Sequence, residues 1–146
     1  MAKNNFPPLL HLTYILQQIS DETLQKEMNI GLSQTRLMSV MSTTKPVSQR
    51  EIAVRLGQTE SNVSRQLKAM HQDGLVGIKK NKKDSRRKEV TLSVKGAKVY
   101  ASAEKVLHKE QSKLLHMLSG SELNVFENAA QLLTAQKNLY GLVTKP

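Results

Sequence analysis

Residues 48–74 carry two helices at a spacing that leaves few folds open. Ser48-Gln49-Arg50-Glu51 is a capping box, with Val47 and Ile52 placed as the hydrophobic staple around it. Ile52, Ala53 and Leu56 give this helix a face to bury, and Gly57 supplies its stop. Thr59 caps a second helix, on which Val63, Leu67 and Met70 stand at i, i+4 and i+7. Asp73-Gly74 ends it. Two short helices across the three-residue turn Gly57–Thr59 predict a helix-turn-helix.

A basic hairpin comes next in the chain. Lys79–Lys88 reads KKNKKDSRRK, seven of its ten residues Lys or Arg and one an acid. Leu75-Val76-Gly77-Ile78 precedes it, and Glu89-Val90-Thr91-Leu92 comes after it with Val90 and Leu92 at period two. Two short strands joined by a basic turn form a two-stranded wing whose tip can reach the backbone of a polyanion. By itself such a run also describes a solvated loop; its place after a helix-turn-helix favours the wing.

The remainder reads helical. Pro7-Pro8 opens a helix from Leu9 to about Met28, with Leu12, Ile15, Leu16 and Ile19 on one face and Ser20-Asp21 as a break or a fresh cap. Ser33 is the expected cap of a second helix running to about Thr43, with Leu32 and Leu37 as its staple. Ser93 caps a long helix through about Leu118, and Ser119-Gly120-Ser121-Glu122 opens a last one to about Leu142. That last helix is apolar on two sides, Leu123, Phe126, Ala130 and Leu133 against Val125, Ala129, Leu132 and Leu139. Two apolar sides need two partners, and a second copy of the chain is the natural one. The expected fold is mainly α (α+β): a winged helix-turn-helix over 31–93, flanked by helical dimerisation regions at 1–30 and 94–146.

Charge narrows the partner. The chain has 146 residues and a net charge of +10, and residues 30–98 hold fifteen Lys/Arg against five Asp/Glu, so they carry the whole excess. All five aromatics (Phe6, Tyr14, Tyr100, Phe126, Tyr140) lie outside that basic region. Binders of single strands and RNA stack bases on aromatic rings, so this distribution favours duplex DNA over them, and it also disfavours a membrane surface. No apolar run is long enough for a membrane span, and the first residues lack a secretory signal. Without Cys there is no disulfide, thiolate site or thiol switch, and a cytoplasmic protein is expected.

The wing and the segment before it resemble a known family. Asp84-Ser85-Arg86 followed by Val90, Leu92, Ser93 and Gly96 resembles the wing signature of the MarR (multiple antibiotic resistance regulator) family, D-x-R, three residues, V-x-L-T/S, two residues, G. Leu56-Gly57 through Val63-Ser64-Arg65 to Asp73-Gly74-Leu75-Val76 is similar to its recognition-helix segment. The order of six helices with a wing before the fifth is similar too, so the resemblance spans nearly the whole chain. It implies a homodimeric transcriptional regulator on an inverted-repeat operator, in most cases a repressor. It also implies release of DNA by a small, often phenolic, ligand. That ligand would lie in a cleft bordered by the first helix, residues near Met38 and Met41, and the start of the fifth helix.

Candidate DNA-binding residues follow from placement. At about 100° per residue, Ser61, Arg65, Lys68 and Gln72 fall opposite the apolar face of the second helix, with Asn62 and Ser64 flanking and Thr59 at its start. Arg65 can pair with guanine, and Ser61, Asn62 and Ser64 can reach base edges or phosphates. Glu60 either favours the helix dipole or accepts from a cytosine amino group. At the wing, the resemblance assigns Arg86 to the minor groove and Asp84 to holding it. An acid at such a tip costs affinity unless it organises a neighbour, and a narrow minor groove attracts an inserted guanidinium. Lys80, Lys82, Lys83, Arg87 and Lys88 would add phosphate contacts. Helix N-termini at Ser33–Thr35 and at Ser48, Gln49 and Arg50 are further phosphate candidates, ordinary capping being the equal alternative for Ser33 and Ser48.

Enzymatic readings find little support. There is no Walker-type loop, G-x-S-x-G or H-E-x-x-H. Glu104 and His108 stand at i, i+4 but lack a third ligand, as does His116 further along, so no metal or cofactor is expected. Met28, Met38, Met41, Met70 and Met117 read as core filling. The competing reading is a nonspecific architectural DNA binder with no effector.

Overall fold

The computed structural model describes residues 7–135. Helix α1 (Pro8–Met28) begins with a proline where no N–H is needed and ends at Asn29, in the left-handed region at φ 55°. It runs unbroken through Ser20-Asp21. Asp21 works across the following turn instead, its Oδ1 accepting from the Leu32 N–H at 2.7 Å.

That bond explains the next departure from expectation. Helix α2 (Leu32–Ser39) is capped by Gly31, not Ser33, and Gln34 Oε1 accepts from the Gly31 N–H at 3.0 Å. α2 also stops before Thr43. The Val40 and Met41 N–H groups turn back to Leu37 and Met38 carbonyls at 3.3 and 3.2 Å, which tightens the last turn.

The central segment follows the sequence reading closely. Strand β1 (Val47–Ser48) leads into α3 (Gln49–Leu56), then α4 (Glu60–Gln72), β2 (Val76–Lys80) and β3 (Lys88–Leu92). Ser48 Oγ accepts from the Glu51 N–H at 3.1 Å, and Gly57 closes α3 at φ 63°. The reciprocal half of the Ser48 box is replaced by an ion pair from Glu51 to Arg55. The wing hairpin is antiparallel, pairing Val76 with Leu92, Ile78 with Val90 and Lys80 with Lys88. Lys79, Lys80 and Lys88 therefore belong to strands, so the turn is shorter than the basic run. A third strand joins unexpectedly: β1 pairs Val47 with Val90 and Ser48 with Glu89, in the order β1-β3-β2. It covers the edge β3 would otherwise leave open.

Helix α5 (Val94–Leu115) ends one turn before Leu118, and α6 (Gly120–Ala135) follows. Ser119 and Glu122 form the expected capping box. Glu122 Oε2 accepts from the Ser119 N–H at 2.8 Å, and Ser119 Oγ accepts from the Glu122 N–H at 3.4 Å. The Ser119 hydroxyl, and then its N–H, hold the Glu122 carboxyl below its ordinary value. The expected continuation of α6 to Leu142, with Leu139, lies outside the described residues.

One core serves the central segment. Leu24 of α1, Leu37 and Met38 of α2, Ile52 of α3, Val63, Leu67 and Met70 of α4 and Val90 of β3 are all fully buried. Each such side chain stabilises the fold by about 1.5–3 kcal/mol. Met117 is not core filling: it is 81% exposed. α6 has no buried residue at all, and Leu9, Ile15 and Ile19 of α1 are exposed. No helix among the described residues is long and apolar enough to cross a membrane.

Candidate nucleic-acid interface

Helix α4 is held from beneath and free above. Val63, Leu67 and Met70 sit in the core, which leaves Ser61, Arg65, Lys68 and Gln72 exposed on the opposite face. Thr59 is its cap: Oγ1 accepts from the Asn62 N–H at 3.3 Å. Asn62 Oδ1 in turn accepts from the Arg65 guanidinium at 3.1 Å. Asn62 also donates to Gln58 Oε1 at 3.2 Å, and Gln66 donates to the same oxygen at 3.1 Å. Ser33 Oγ donates to Gln66 Oε1 at 2.5 Å. A polar chain thus runs from α2 through Gln66 and Gln58 to the residue beside Arg65. Ser64 is half-buried at the edge of the exposed face.

The phosphate candidates outside α4 divide. Thr35 is buried, and its hydroxyl donates to the Gly31 carbonyl at 3.1 Å, so its side chain is not available to a phosphate. Ser33 is exposed but bound to Gln66, and it lies within the first turn rather than at the cap. Ser48 is occupied as cap of α3, Gln49 is half-buried beside it, and Arg50 is exposed.

The wing is held by main-chain bonds to short polar side chains. Lys80, Lys82, Lys83, Arg86, Arg87 and Lys88 are exposed around the tip. Asp84 Oδ1 accepts from the Arg86 N–H at 3.0 Å, and its Oδ2 lies 3.4 Å from Arg87 Nε. The Asp84 carboxylate therefore grips the Arg86 main chain and the Arg87 side chain. Among the described residues it makes no ion pair with the Arg86 guanidinium, so it holds Arg86 by the main chain and leaves that side chain unpaired with it. Two carboxylate oxygens two residues from an amide N–H close an Asx turn more easily than they reach around to the next side chain.

The base of the wing is locked to its neighbours. His71 Nδ1 lies 2.9 Å from the Val76 carbonyl, tying the end of α4 to β2. Ser93 Oγ donates to the Gly74 carbonyl at 2.6 Å, and Lys95 Nζ donates to the Asp73 carbonyl at 2.7 Å. Gly96 is required here: a Cβ at its position would stand 2.0 Å from the Leu75 carbonyl oxygen.

A cleft of about 280 Å³ opens between α2 and α5, lined in part by Arg36, Tyr100, Glu104 and His108. Burial, and then a bond to Glu104, raise the Tyr100 hydroxyl above its ordinary value. Of the border that the resemblance implied, Arg36 and Ser39 near Met38 and Tyr100 in the first half of α5 line this cleft, whereas Met38 is core and neither Met41 nor α1 lines it. No group of three potential metal ligands occurs among the described residues.

Comparison with known proteins agrees with this geometry. The sequence profile of the MarR family matches residues 28–87. The HTH-type transcriptional regulator BilQ of Clostridium symbiosum (strain WAL-14163) is 30% identical over 99 residues, 68% of each chain. The chain belongs to the MarR family. A crystal structure of MarR superposes with a TM-score of 0.83 at 16% identity, covering 97% of this chain and 99% of that one. The S. aureus MepR–DNA complex superposes at 0.70 with 21% identity, covering 87% and 94%. As a MarR-family transcriptional regulator the chain is a DNA-binding protein, and its winged helix with six helices is the architecture of those neighbours.

Asn81, Gln58 and Gln66 are the residues that sequence reasoning passed over. A signal existed for Asn81 alone: asparagine is a turn former, and it stands between two pairs of lysines at the start of the turn.

Proposed function

We propose that the protein is a homodimeric regulator that represses transcription from an inverted-repeat operator in double-stranded DNA. In this reading each α4 enters a major groove and each wing the adjacent minor groove. The observation that carries it is the exposed row Ser61, Arg65 and Lys68 on a core-anchored helix, beside a hairpin tip edged with six cations. Thr59, Asn62 and Ser64 complete the base-facing edge, and Arg50 reaches a flanking phosphate. Residues 31–93 form the DNA-binding domain. Residues 1–30 and 94–146 form the dimerisation region, the exposed apolar faces of α1 and α6 supporting a second copy as their cover. The dimer would carry twice the +10 of the chain. Its DNA affinity would then fall steeply with salt as condensed counterions are released.

A small aromatic ligand in the α2–α5 cleft would relieve repression, and the polar chain from Ser33 toward Arg65 starts on the helix that borders that cleft. The protein is not an enzyme in this reading, needs no cofactor and works in the cytoplasm.

Selection of bound fragments from random duplex DNA tests the function. An enriched inverted repeat is the expected result. Binding without any enriched sequence would replace the regulator by a nonspecific architectural protein. No duplex binding at physiological salt would end both readings.

A further inference from the structure

Asn81 sits at the first position of the wing tip and carries no charge, yet more of the tip's bonds meet on it than on any neighbouring cation. Its Oδ1 accepts from the Lys83 N–H at 2.7 Å and from the Asp84 N–H at 3.1 Å. Its Nδ2 donates across the hairpin to Glu89 Oε1. Its own N–H donates to the Arg87 carbonyl at 2.8 Å, and the Arg87 N–H returns to the Asp84 carbonyl at 2.9 Å. Asp84, placed by Asn81, then holds the Arg86 N–H at 3.0 Å. The bonds form one series from Asn81 through Asp84 to Arg86.

We propose that Asn81 is the positioning residue of the wing, fixing the tip in its DNA-entering shape before DNA arrives, with Glu89 as its anchor. The inference rests on the reading of the wing as a groove-inserting element. Its physical basis is repulsion and entropy. The run Lys79–Lys88 places seven like charges on a short hairpin, with no apolar side chain in the run to hold it. Without internal bonds the tip would sample many conformations, and binding would carry the cost of ordering it. Asparagine suits the task because it offers one acceptor to two main-chain donors and one donor to an acid. Lysine lacks the acceptor, and aspartate lacks the donor.

The test separates positioning from contact. Losing a cation that neutralises a phosphate lowers both affinity and its slope against salt, but Asn81 is uncharged and releases no counterion itself. The order of the tip in the free protein, read by amide exchange, therefore decides between the two. For Asn81→Ala, affinity for the duplex recovered by selection should fall on the order of tenfold, the equivalent of one to two hydrogen bonds. The salt plot should stay parallel to wild type, the thermal midpoint should not move, and amide exchange at Lys83 and Asp84 should quicken in the free protein. Asn81→Asp alone should also weaken binding. Pairing it with Glu89→Gln, which restores a donor–acceptor pair at constant net charge, should recover most of the loss.

Lost affinity with unchanged exchange at Lys83 and Asp84 in the free protein would make Asn81 a DNA contact and overturn the proposal. So would unchanged affinity with unchanged exchange, or no recovery in the double variant. Wild-type protein that binds no duplex removes the wing reading and this role with it. Wild-type binding matched by Asn81→Ala removes only the role of Asn81.

Discussion

Helix α4 and the wing tip both present exposed cations, but they are held in opposite ways. α4 is fixed by apolar burial: Val63, Leu67 and Met70 show no exposed surface, and the polar face stands where 3.6-residue periodicity leaves it. The tip over residues 81–87 has no fully buried residue, only Asn81 and Asp84 half-buried, and is fixed by polar bonds from those two to main-chain N–H groups. One element takes its shape from the core, and a change there acts first on stability. The other takes its shape from itself, and a change there acts first on binding.

The largest effect that tests this contrast is Leu67→Ala. Removing a fully buried leucine should destabilise the fold by about 2–5 kcal/mol, measured by denaturant unfolding. A loss under about 1 kcal/mol would show that α4 is not core-anchored in solution. At the tip, Arg86→Ala should leave unfolding unchanged while operator affinity drops about 10- to 100-fold, the range for a lost charged contact. Unaltered affinity would take the wing out of recognition. Arg65→Ala acts on α4 but, unlike Leu67→Ala, on its exposed face. It should relax base preference at one operator position by about 1–3 kcal/mol with little change in stability, as read by binding to single-position operator variants. An equal loss on every sequence would make Arg65 a phosphate contact.

The same contrast explains what could be read from sequence. The helix-turn-helix was legible because its signals are local: Ser48, Gly57 and Thr59 act on residues at most four positions away, and the α4 face needs only periodicity. The family resemblance reached the wing for a similar reason, since Asp84 to Gly96 is one contiguous pattern. What failed was nonlocal. Gly31 displaced Ser33 as the cap because Asp21, eleven positions back, claims the Leu32 N–H. β1 went unseen because a two-residue strand carries no period and pairs with β3 more than forty positions on. Among the site residues, Thr35 looked available until packing buried it, and Asp84 holds Arg86 by its main chain while its side-chain bond goes to Arg87. Asn81 was hidden by its neighbours: a run read for its charge conceals the uncharged residue that shapes it.

The smallest expected effect sharpens the comparison most, because it separates charge from shape within the tip itself. Lys82 is exposed and makes no side-chain bond among the described residues, so its place in the wing is electrostatic alone. Lys82→Ala should weaken binding to all duplex sequences about equally and leave base preference intact. Its signature is the salt dependence. One phosphate contact fewer per protomer should make the slope of log affinity against log salt shallower by about 0.9 for each wing engaged. At moderate salt the affinity change itself is modest, since a counterion released into more concentrated salt gains less entropy. Titrations at several salt concentrations would resolve it where a single titration would not. A slope equal to wild type would place Lys82 away from the backbone. The tip would then enter the groove with Arg86 leading and Lys82 directed to solvent.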